Sequence, residues 1–328
     1  MCRVNPRVIA LLALIVAGGC ATQIHGGLGN GVAFATDGAA SSHQRSARGV
    51  ANELYVANYS GTVYVFPIQG GLPITTPTRT IQTGMDLTSL AVGSDGTIYA
   101  VGESRINVYA PGAEGSDQPE RVLNVDGYGA WSVAIDQQGY LYVGVFNEAV
   151  NVYAPGAQGN DQPVVSIPEQ YLGLIGGLAI DGAGNLYVTT DESGLTEYAT
   201  PHSSPTEIKT TCFEVKSGVN GVAVASDGTA FVAVDGSPHR GRTSYISPVA
   251  PSQSGCPFKR RRLYAVPKLL DPIGVAELDG HLFVSDQKFG NSGPAVVVMD
   301  ESQRGHRAPL LVLKYSNFDR PRGVAIGP

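Results

Sequence analysis

The most regular feature of the chain is a run of alternating small and apolar residues, followed by a polar turn and a second apolar run, that recurs along most of its length. The copy at residues 177–188 reads GLAIDGAGNLYV, which is a small and apolar run, a turn rich in Asp and Gly, and a second run, Leu-Tyr-Val. Alternating runs favour half-buried strands, and the turn between them favours a hairpin. Because a single hairpin is marginally stable in water, the copies must pack together to form a core.

The copies are spaced by about 45 residues, which sets the architecture. The first strand of each is centred on Ala91, Ala134, Ala179, Ala223, Ala276 and Ala325. The second strand carries Tyr55, Tyr99, Tyr142, Tyr187, Phe231 and Phe283. A third strand follows, and a fourth is predicted near residues 121–125, 163–167, 211–215 and 310–315. Four strands in a repeat of this length are typical of a propeller blade, so the sequence predicts an all-β, six-bladed β-propeller of four-stranded antiparallel blades.

The phase of the repeat predicts how the ring closes. The first aromatic strand, at residues 53–58, has no well-spaced inner strand before it, and the last inner strand, at residues 323–326, has no strand after it. We therefore expect the C-terminal strand to complete the first blade, which removes two exposed sheet edges. In the alternative, segment 31–35, whose sequence is similar to that of residues 221–225, fills this place. The C-terminal strand then has no place in a blade.

The repeated pattern Gly-Val-Ala-x-Asp-x-x-Gly-x-Leu-Tyr-Val resembles that of NHL-repeat propellers, which include bacterial lipoproteins and secreted proteins. The resemblance covers residues 52–328. More distantly, the fold resembles that of senescence-marker-type lactonases and streptogramin lyases. It implies the architecture but no particular activity, because this superfold also hosts RNA-binding proteins and protein-interaction modules.

The N-terminal residues predict export. Arg3 and Arg7 precede the apolar run 8–16, which is too short to span a bilayer as a stable anchor. Residues 17–20 read Ala-Gly-Gly-Cys and resemble the lipobox of bacterial lipoproteins. This resemblance implies lipid attachment at Cys20, and ordinary secretory cleavage is the alternative.

The chain therefore divides into three parts. We expect a lipoprotein signal peptide at residues 1–19, a flexible tether rich in Gly, Ala and Ser at residues 20–51, and the propeller at residues 52–328. The expected location is the cell envelope, at the outer membrane or its periplasmic face in a cell with two membranes, and secretion is the alternative.

Composition and charge narrow the classes of partner. The chain has 42 Gly and only 15% charged residues, which suits an all-β protein with many turns. Its net charge of −6 gives no electrostatic reason to expect nucleic acid or an anionic membrane surface as a partner. We expect a monomer that contacts the membrane through its lipid alone and binds a protein or a small molecule.

The cysteines predict a disulfide bond. Loss of Cys2 with the signal peptide and lipidation of Cys20 leave Cys212 and Cys256, an even number in an exported protein. Cys212 falls at the outer strand of blade four and Cys256 in an insertion of blade five. We expect a bridge between these neighbouring blades, and two free thiols are the alternative.

The connections between strands sort onto two faces of the ring. The turns between strands one and two and between strands three and four lie on the first face, and the blade-to-blade and two-to-three connections lie on the second face. The loops on the second face carry the most varied polar and charged residues. We therefore expect a ligand site there, at the mouth of the central channel. The candidate residues in and beside the blade-to-blade connections are Asp86, Asp126, Tyr128, Trp131, Asn220, Asp271, Asp319 and Arg322.

These residues do not form a recognisable catalytic motif. The histidines show no zinc-ligand spacing, and the chain lacks a Gly-x-Ser-x-Gly elbow and a phosphate loop. The resemblance to the lactonases implies that carboxylates and amides near the axis could hold a divalent cation such as Ca²⁺ in the channel. The sequence favours a non-catalytic binding or scaffolding lipoprotein, and the alternative is a metal-dependent, lactonase-like hydrolase or a lyase that acts on a small molecule.

Overall fold

The computed structural model describes twelve ranges of the chain. They are residues 52–127, 129–146, 148–168, 174–191, 194–199, 201–212, 218–236, 244–252, 254–255, 264–265, 268–303 and 305–328. The predicted signal peptide and tether, Cys20, Tyr128 and Cys256 lie outside them. Within these ranges the chain forms strands and a short 3₁₀ turn at Gly290–Ser292, and none of it forms a helix long and apolar enough to cross a membrane.

The first three blades follow one another along the chain. Blade one contains β1 (Glu53–Asn58), β2 (Thr62–Gln69), the two-residue β3 (Leu72–Pro73) and β4 (Arg79–Gln82). Blade two contains β5 (Ser89–Val92), β6 (Ile98–Val101), β7 (Arg105–Tyr109) and β8 (Arg121–Asn124). Blade three contains β9 (Ala130–Ile135), β10 (Leu141–Val145), β11 (Ala149–Tyr153) and β12 (Val165–Pro168).

The last three blades repeat this order. Blade four contains β13 (Ile175–Ile180), β14 (Leu186–Thr190), β15 (Gly194–Ala199) and β16 (Thr206–Thr211). Blade five contains β17 (Val219–Val224), β18 (Ala230–Val234), β19 (Tyr245–Val249) and β20 (Tyr264–Ala265). Blade six contains β21 (Pro272–Leu278), β22 (His281–Asp286), β23 (Ala295–Asp300) and β25 (Leu311–Leu313), and the two-residue β24 (Gly305–His306) pairs in parallel with β20 of blade five.

The C-terminal strand closes the ring. β26 (Pro321–Gly327) pairs antiparallel with β1, so that Leu54 lies opposite Ile326 and Tyr55 opposite Ala325. It thus takes the innermost place of blade one, as the phase of the repeat predicts. The place that segment 31–35 would fill in the alternative is occupied by β26. The prediction of six four-stranded antiparallel blades closed by the C-terminal strand is confirmed.

The hydrophobic core lies between the blades. Successive residues of a strand point to opposite sides of its sheet, so each blade contributes side chains to the two interfaces beside it. A separate buried cluster fills each of the six interfaces. The aromatic residue of the second strand is fully buried in several blades, as at Tyr55, Tyr142 and Phe283. Burial of each such ring contributes about 1.5–3 kcal/mol, which is why the copies are stable only together.

The outer strand of blade four differs from the prediction of residues 211–215. It is β16, at Thr206–Thr211, where the Lys209 Nζ lies 3.0 Å from the Glu197 carboxylate on β15. The sequence of β16 is polar, because most of this outermost strand faces solvent. A hydrophobic pattern therefore does not locate it.

Loops on the first face hold the outer edges of neighbouring blades together. Gly115, in the loop of blade two, pairs in parallel with Ile81 of blade one, and Gly159, in the loop of blade three, pairs with Leu123 of blade two. The Gly115 N–H donates to the Thr80 carbonyl at 2.6 Å. These contacts satisfy backbone groups that would otherwise line a free sheet edge.

The same contact joins blades four and five beside a disulfide. Gly255 pairs in parallel with Thr211, and its N–H donates to the Thr210 carbonyl at 2.9 Å. Cys212, the next residue along, is disulfide-bonded. Cys256 follows Gly255 in the sequence but lies outside the described residues, so the pairing of Cys212 with Cys256 stays a prediction.

We expect the substitution Cys212→Ser to lower the free energy of unfolding by about 2–4 kcal/mol, because the disulfide restricts the unfolded chain. A reducing agent should lower the melting temperature of the wild-type protein and leave that of the variant unchanged. Thermal denaturation with and without reductant measures both effects. A non-reduced peptide map that links Cys212 to a cysteine other than Cys256 would contradict the pairing.

Candidate ligand site on the second face

The central channel is narrow because the innermost strands pack closely around it, and small residues on these strands permit that close packing. Each innermost strand contributes one such position: Ser89, Ser132, Gly177, Gly221, Gly274 and Gly323. The glycines let neighbouring strands approach closely, since a Cβ on Gly221 would lie 2.9 Å from the Gly274 Cα. The channel holds about 60 Å³, which is room for a few water molecules or an ion but not for an organic ligand.

A larger cavity of about 500 Å³ opens beside the channel, where blades three, four and five meet on the second face. We call it the Trp131 cavity. It is lined by Trp131, Phe146, Leu174, Ile175, Gly176, Asp191, Gly218, Val219 and Asn220. Apolar walls with a few polar groups, at this volume, are typical of sites that bind small molecules.

The aromatic wall of the cavity is held by strand ends. Trp131 lies near the start of β9, and Phe146 follows the end of β10, the next strand of the same blade. The two ring centroids are 5.8 Å apart. The Phe146 N–H donates to the Gly129 carbonyl at 3.0 Å, which fixes the backbone that carries the ring. Trp131 and Gly176 line both the channel and the cavity, so the two spaces adjoin at these residues.

The polar groups of the cavity are tied to the neighbouring backbone. The Asn220 Nδ2 donates to the Pro272 carbonyl at 2.7 Å, which links blade five to blade six. The exposed Asp191 carboxylate accepts a hydrogen bond from the Leu174 N–H at 2.6 Å. Each carboxylate or amide oxygen can accept more than one hydrogen bond, so both side chains keep capacity for a ligand.

Arg322 lies on the channel side of Trp131. Its guanidinium carbon is 5.5 Å from the centre of the Trp131 ring and 5.3 Å from that of Tyr59. Burial lowers the pKa of Arg322 from its usual value, and the charge of Arg320 lowers it further. Arg320 also stacks on the ring of Tyr59, with its guanidinium carbon 3.8 Å from the centre of that ring. Two guanidinium groups therefore lie on this side of the mouth, and the nearby carboxylates of Asp271 and Asp319 offset the lowering of the Arg322 pKa only in part.

A buried carboxylate shapes the backbone close to this mouth. Asp286, at the end of β22, is inaccessible to solvent. It accepts hydrogen bonds from the N–H groups of Leu270, Asp271 and Lys288 at 2.9–3.0 Å. Burial raises the pKa of Asp286, and the three donors oppose that shift. Its role is to hold the connection into β21, and with it Asp271, in place.

The structure brings some of the predicted site residues together and leaves others apart. Trp131 and Asn220 line the cavity, and Arg322 contacts Trp131. Asp271 instead lies near Lys288, whose Nζ is 3.5 Å from its carboxylate. The remaining described carboxylates are exposed in their connections: Asp86, Asp126 and Asp319. Within the described ranges no three His, Cys, Asp or Glu side chains are grouped so as to hold a metal ion, and the divalent cation stays a prediction.

The aliphatic residues and the phenylalanine of this site were not among the predicted residues. Phe146 and Leu174 line the cavity, and Leu174 is 38% exposed. Apart from the aromatic residues Tyr128 and Trp131, the predicted candidates were polar and charged side chains in or beside the second-face connections. A search for apolar residues next to strand ends on that face would have found both, because ligand sites are mostly apolar.

Several solved structures are similar to this chain. A chain in the crystal structure of a nidogen–laminin complex has a TM-score of 0.61 and 15% identity, over 84% of this chain and 98% of that one. A protein of unknown function from Bacteroides caccae has a TM-score of 0.56 and 12% identity, over 84% and 98%. The WD40 β-propeller domain of Doa1 has a TM-score of 0.51 and 13% identity, over 81% and 80%. At these identities the similarity shows the fold, a β-propeller.

No protein-family model and no curated protein sequence matches the chain.

Proposed function

We propose that the protein is a non-catalytic binding module of the cell envelope, a lipoprotein whose NHL-type propeller holds its partner on the second face. The observation that carries the proposal is the Trp131 cavity, which combines an aromatic wall with an exposed carboxylate and an amide. These groups belong to strand ends of three blades, so they form a rigid surface that needs little reorganisation on binding.

The architecture also supports a binding role. The blades present their least regular connections on the second face, and variation there changes ligand contacts without disturbing the core. One similar structure is that of a complex between two proteins, nidogen and laminin, which supports protein binding as one use of this architecture. The partner of this chain is a protein or a small molecule that buries the Trp131 ring.

The substitution Trp131→Ala should abolish capture of the partner, because it removes the aromatic wall of the cavity. We would cross-link envelope fractions with the wild-type protein, with this variant and with Gln137→Ala. Gln137 is exposed in the first-face turn of the same blade, so it provides a matched control. A partner that is retained by Gln137→Ala and lost with Trp131→Ala supports the proposal. Equal capture by a folded Trp131→Ala variant would refute it.

The anchor is part of the same proposal. It is supported by the arrangement of Arg3 and Arg7, the short apolar run and the lipobox-like Ala-Gly-Gly-Cys ending at Cys20. Metabolic labelling with a fatty-acid analogue tests it, because the label should be present on the wild-type protein and absent from Cys20→Ser. A metal-dependent hydrolase or a lyase remains the alternative function, and calcium retained through purification would favour it.

A further inference from the structure

Arg322 is a partly buried cation without an acidic partner in the described part of the chain. None of the ion pairs found there includes it. Its Nε is buried without a hydrogen-bond acceptor among the same residues. The two nearby carboxylates have other contacts, since Asp271 lies beside Lys288 and Asp319 accepts a hydrogen bond from the Arg320 N–H at 2.6 Å.

The aromatic contacts of Arg322 do not satisfy its hydrogen-bonding groups. The rings of Tyr59 and Trp131 attract the positive charge of the guanidinium through their π faces. The five N–H hydrogens of a guanidinium lie in its own plane and need oxygen acceptors. An N–H edge that is partly shielded from water and lacks an acceptor favours an anion, and a carboxylate fits the planar fork of arginine best.

An anion at this position would also relieve electrostatic repulsion. Arg320 and Arg322 both stack on the ring of Tyr59, so two guanidinium groups share one aromatic side chain. Burial and, after it, the charge of Arg320 destabilise the protonated form of Arg322, and the charges of Asp271 and Asp319 offset them only in part. A bound carboxylate between a cationic mouth and an apolar cavity gains Coulomb energy at low local dielectric, where such an interaction is strongest.

We propose that the ligand of this site is a small organic monoanion with an apolar, planar body. Its carboxylate pairs with Arg322, and its apolar body extends past Trp131 into the cavity against Phe146. The proposal rests on the proposed function, since it names the ligand class of the same second-face site. The exposed Asp191 on the cavity wall disfavours a second negative charge at the far end of the ligand.

The only tryptophan of the chain, Trp131, reports binding directly. The probes are 4-phenylbutyrate and its neutral amide, 4-phenylbutyramide, which match in size and differ in charge. Quenching of tryptophan emission during titration gives both dissociation constants. We expect the carboxylate to bind at least about tenfold more tightly than the amide, as for a charge-assisted hydrogen bond that is partly shielded from water.

Three variants distinguish pairing with Arg322 from a general effect of positive charge. Arg322→Gln should remove the preference for the carboxylate and leave the affinity for the amide almost unchanged. Arg320→Gln removes an exposed charge from the same mouth and should lower the preference by less than about threefold, because exposed charges are screened by solvent. Arg322→Lys keeps the charge but not the planar fork and should give an intermediate preference.

The outcomes distinguish this inference from the function on which it rests. If both probes bind equally and Arg322→Gln changes neither constant, the cavity binds small molecules but the anion assignment is wrong. If neither probe quenches Trp131 emission at millimolar concentration, the ligand class is also wrong. The capture experiment with Trp131→Ala is independent of both results, and circular dichroism confirms that each variant is folded.

Discussion

Replacing Gly221 with alanine should lower the free energy of unfolding by on the order of 3 kcal/mol or more, and valine at this position should prevent folding. A Cβ on Gly221 would lie 2.5 Å from the Ile273 carbonyl oxygen, 2.9 Å from the Gly274 Cα and 3.0 Å from the Val275 nitrogen. All three are backbone atoms of the next blade, so no change of rotamer relieves the overlap. The inner strands themselves would have to move apart.

The effect should spread around the ring, because the same contact recurs. A Cβ on Gly177 would lie 2.7 Å from the Gly221 Cα, and one on Gly274 would lie 2.6 Å from the Arg322 carbonyl oxygen. Separating one pair of inner strands therefore strains the next. Cooperative loss of structure, rather than local loosening, is the expected result.

Gly182→Ala is the matched control. Gly182 lies in the exposed turn between β13 and β14, and no atom lies within 4 Å of the position that a Cβ would take. Its φ is not in the left-handed region, in contrast to Gly184, whose φ is +85°. We expect a change within about 0.5 kcal/mol. Chemical denaturation of the two variants measures the difference, and similar losses in both would contradict the close-packing argument.

Deleting residues 319–328 should lower the melting temperature by on the order of 10 °C or more, since it removes β26. The deletion leaves the inner edge of β1 unpaired along its length. It also removes Val324 from the interface between blades six and one, and the hydrogen bond from the Tyr55 hydroxyl to the Pro328 carbonyl. The lost backbone hydrogen bonds and apolar contacts together outweigh any single side chain in the protein.

A point substitution tests the same closure with less disruption. Asn58, at the end of β1, is inaccessible to solvent, and its Nδ2 donates to the Asn317 carbonyl. Its Oδ1 accepts hydrogen bonds from the N–H groups of Asp319 and Arg320 at 3.1 and 3.2 Å. We expect Asn58→Ala to cost about 1–3 kcal/mol, because the Asp319 N–H loses its partner, and the Arg320 N–H and the Asn317 carbonyl each lose one of two.

The exposed Asn291 provides a control for Asn58, and Asn291→Ala should be nearly neutral. Calorimetry of the truncated protein and of both point variants would measure the series. An unchanged melting curve after the deletion would mean that β26 does not close the ring.

Much of the fold could be predicted from the sequence because its signals are local. Short runs of β-favouring residues such as Leu-Tyr-Val at 186–188 favour a strand, and glycines such as Gly184 favour a turn, whatever the rest of the chain does. The count and phase of the repeats then led to six blades and to closure by residues 321–327. The outer strand at 206–211 was predicted at the wrong position, near 211–215, because few of its residues are buried and it therefore lacks a hydrophobic pattern.

The candidate site could be predicted only in part. Trp131, Asn220 and Arg322 were selected because they lie in or beside second-face connections, and that position follows from strand order. Their grouping did not follow from the sequence. Phe146 was missed because the apolar character of a residue does not by itself distinguish a cavity wall from the core, and its position directly after the end of β10 was not used as a signal.

The sequence by itself determined the repeat, the number of blades and the strand that completes the first one, because local strand and turn residues specify each copy, and the count and phase of the copies give the rest. The tertiary structure alone decided that Arg322 meets Trp131 and that the Trp131 cavity lies beside a channel too narrow for an organic ligand. These contacts join residues far apart in the chain. Their distances depend on how closely the inner strands approach, and backbone packing at Gly177, Gly221 and Gly274 sets that approach.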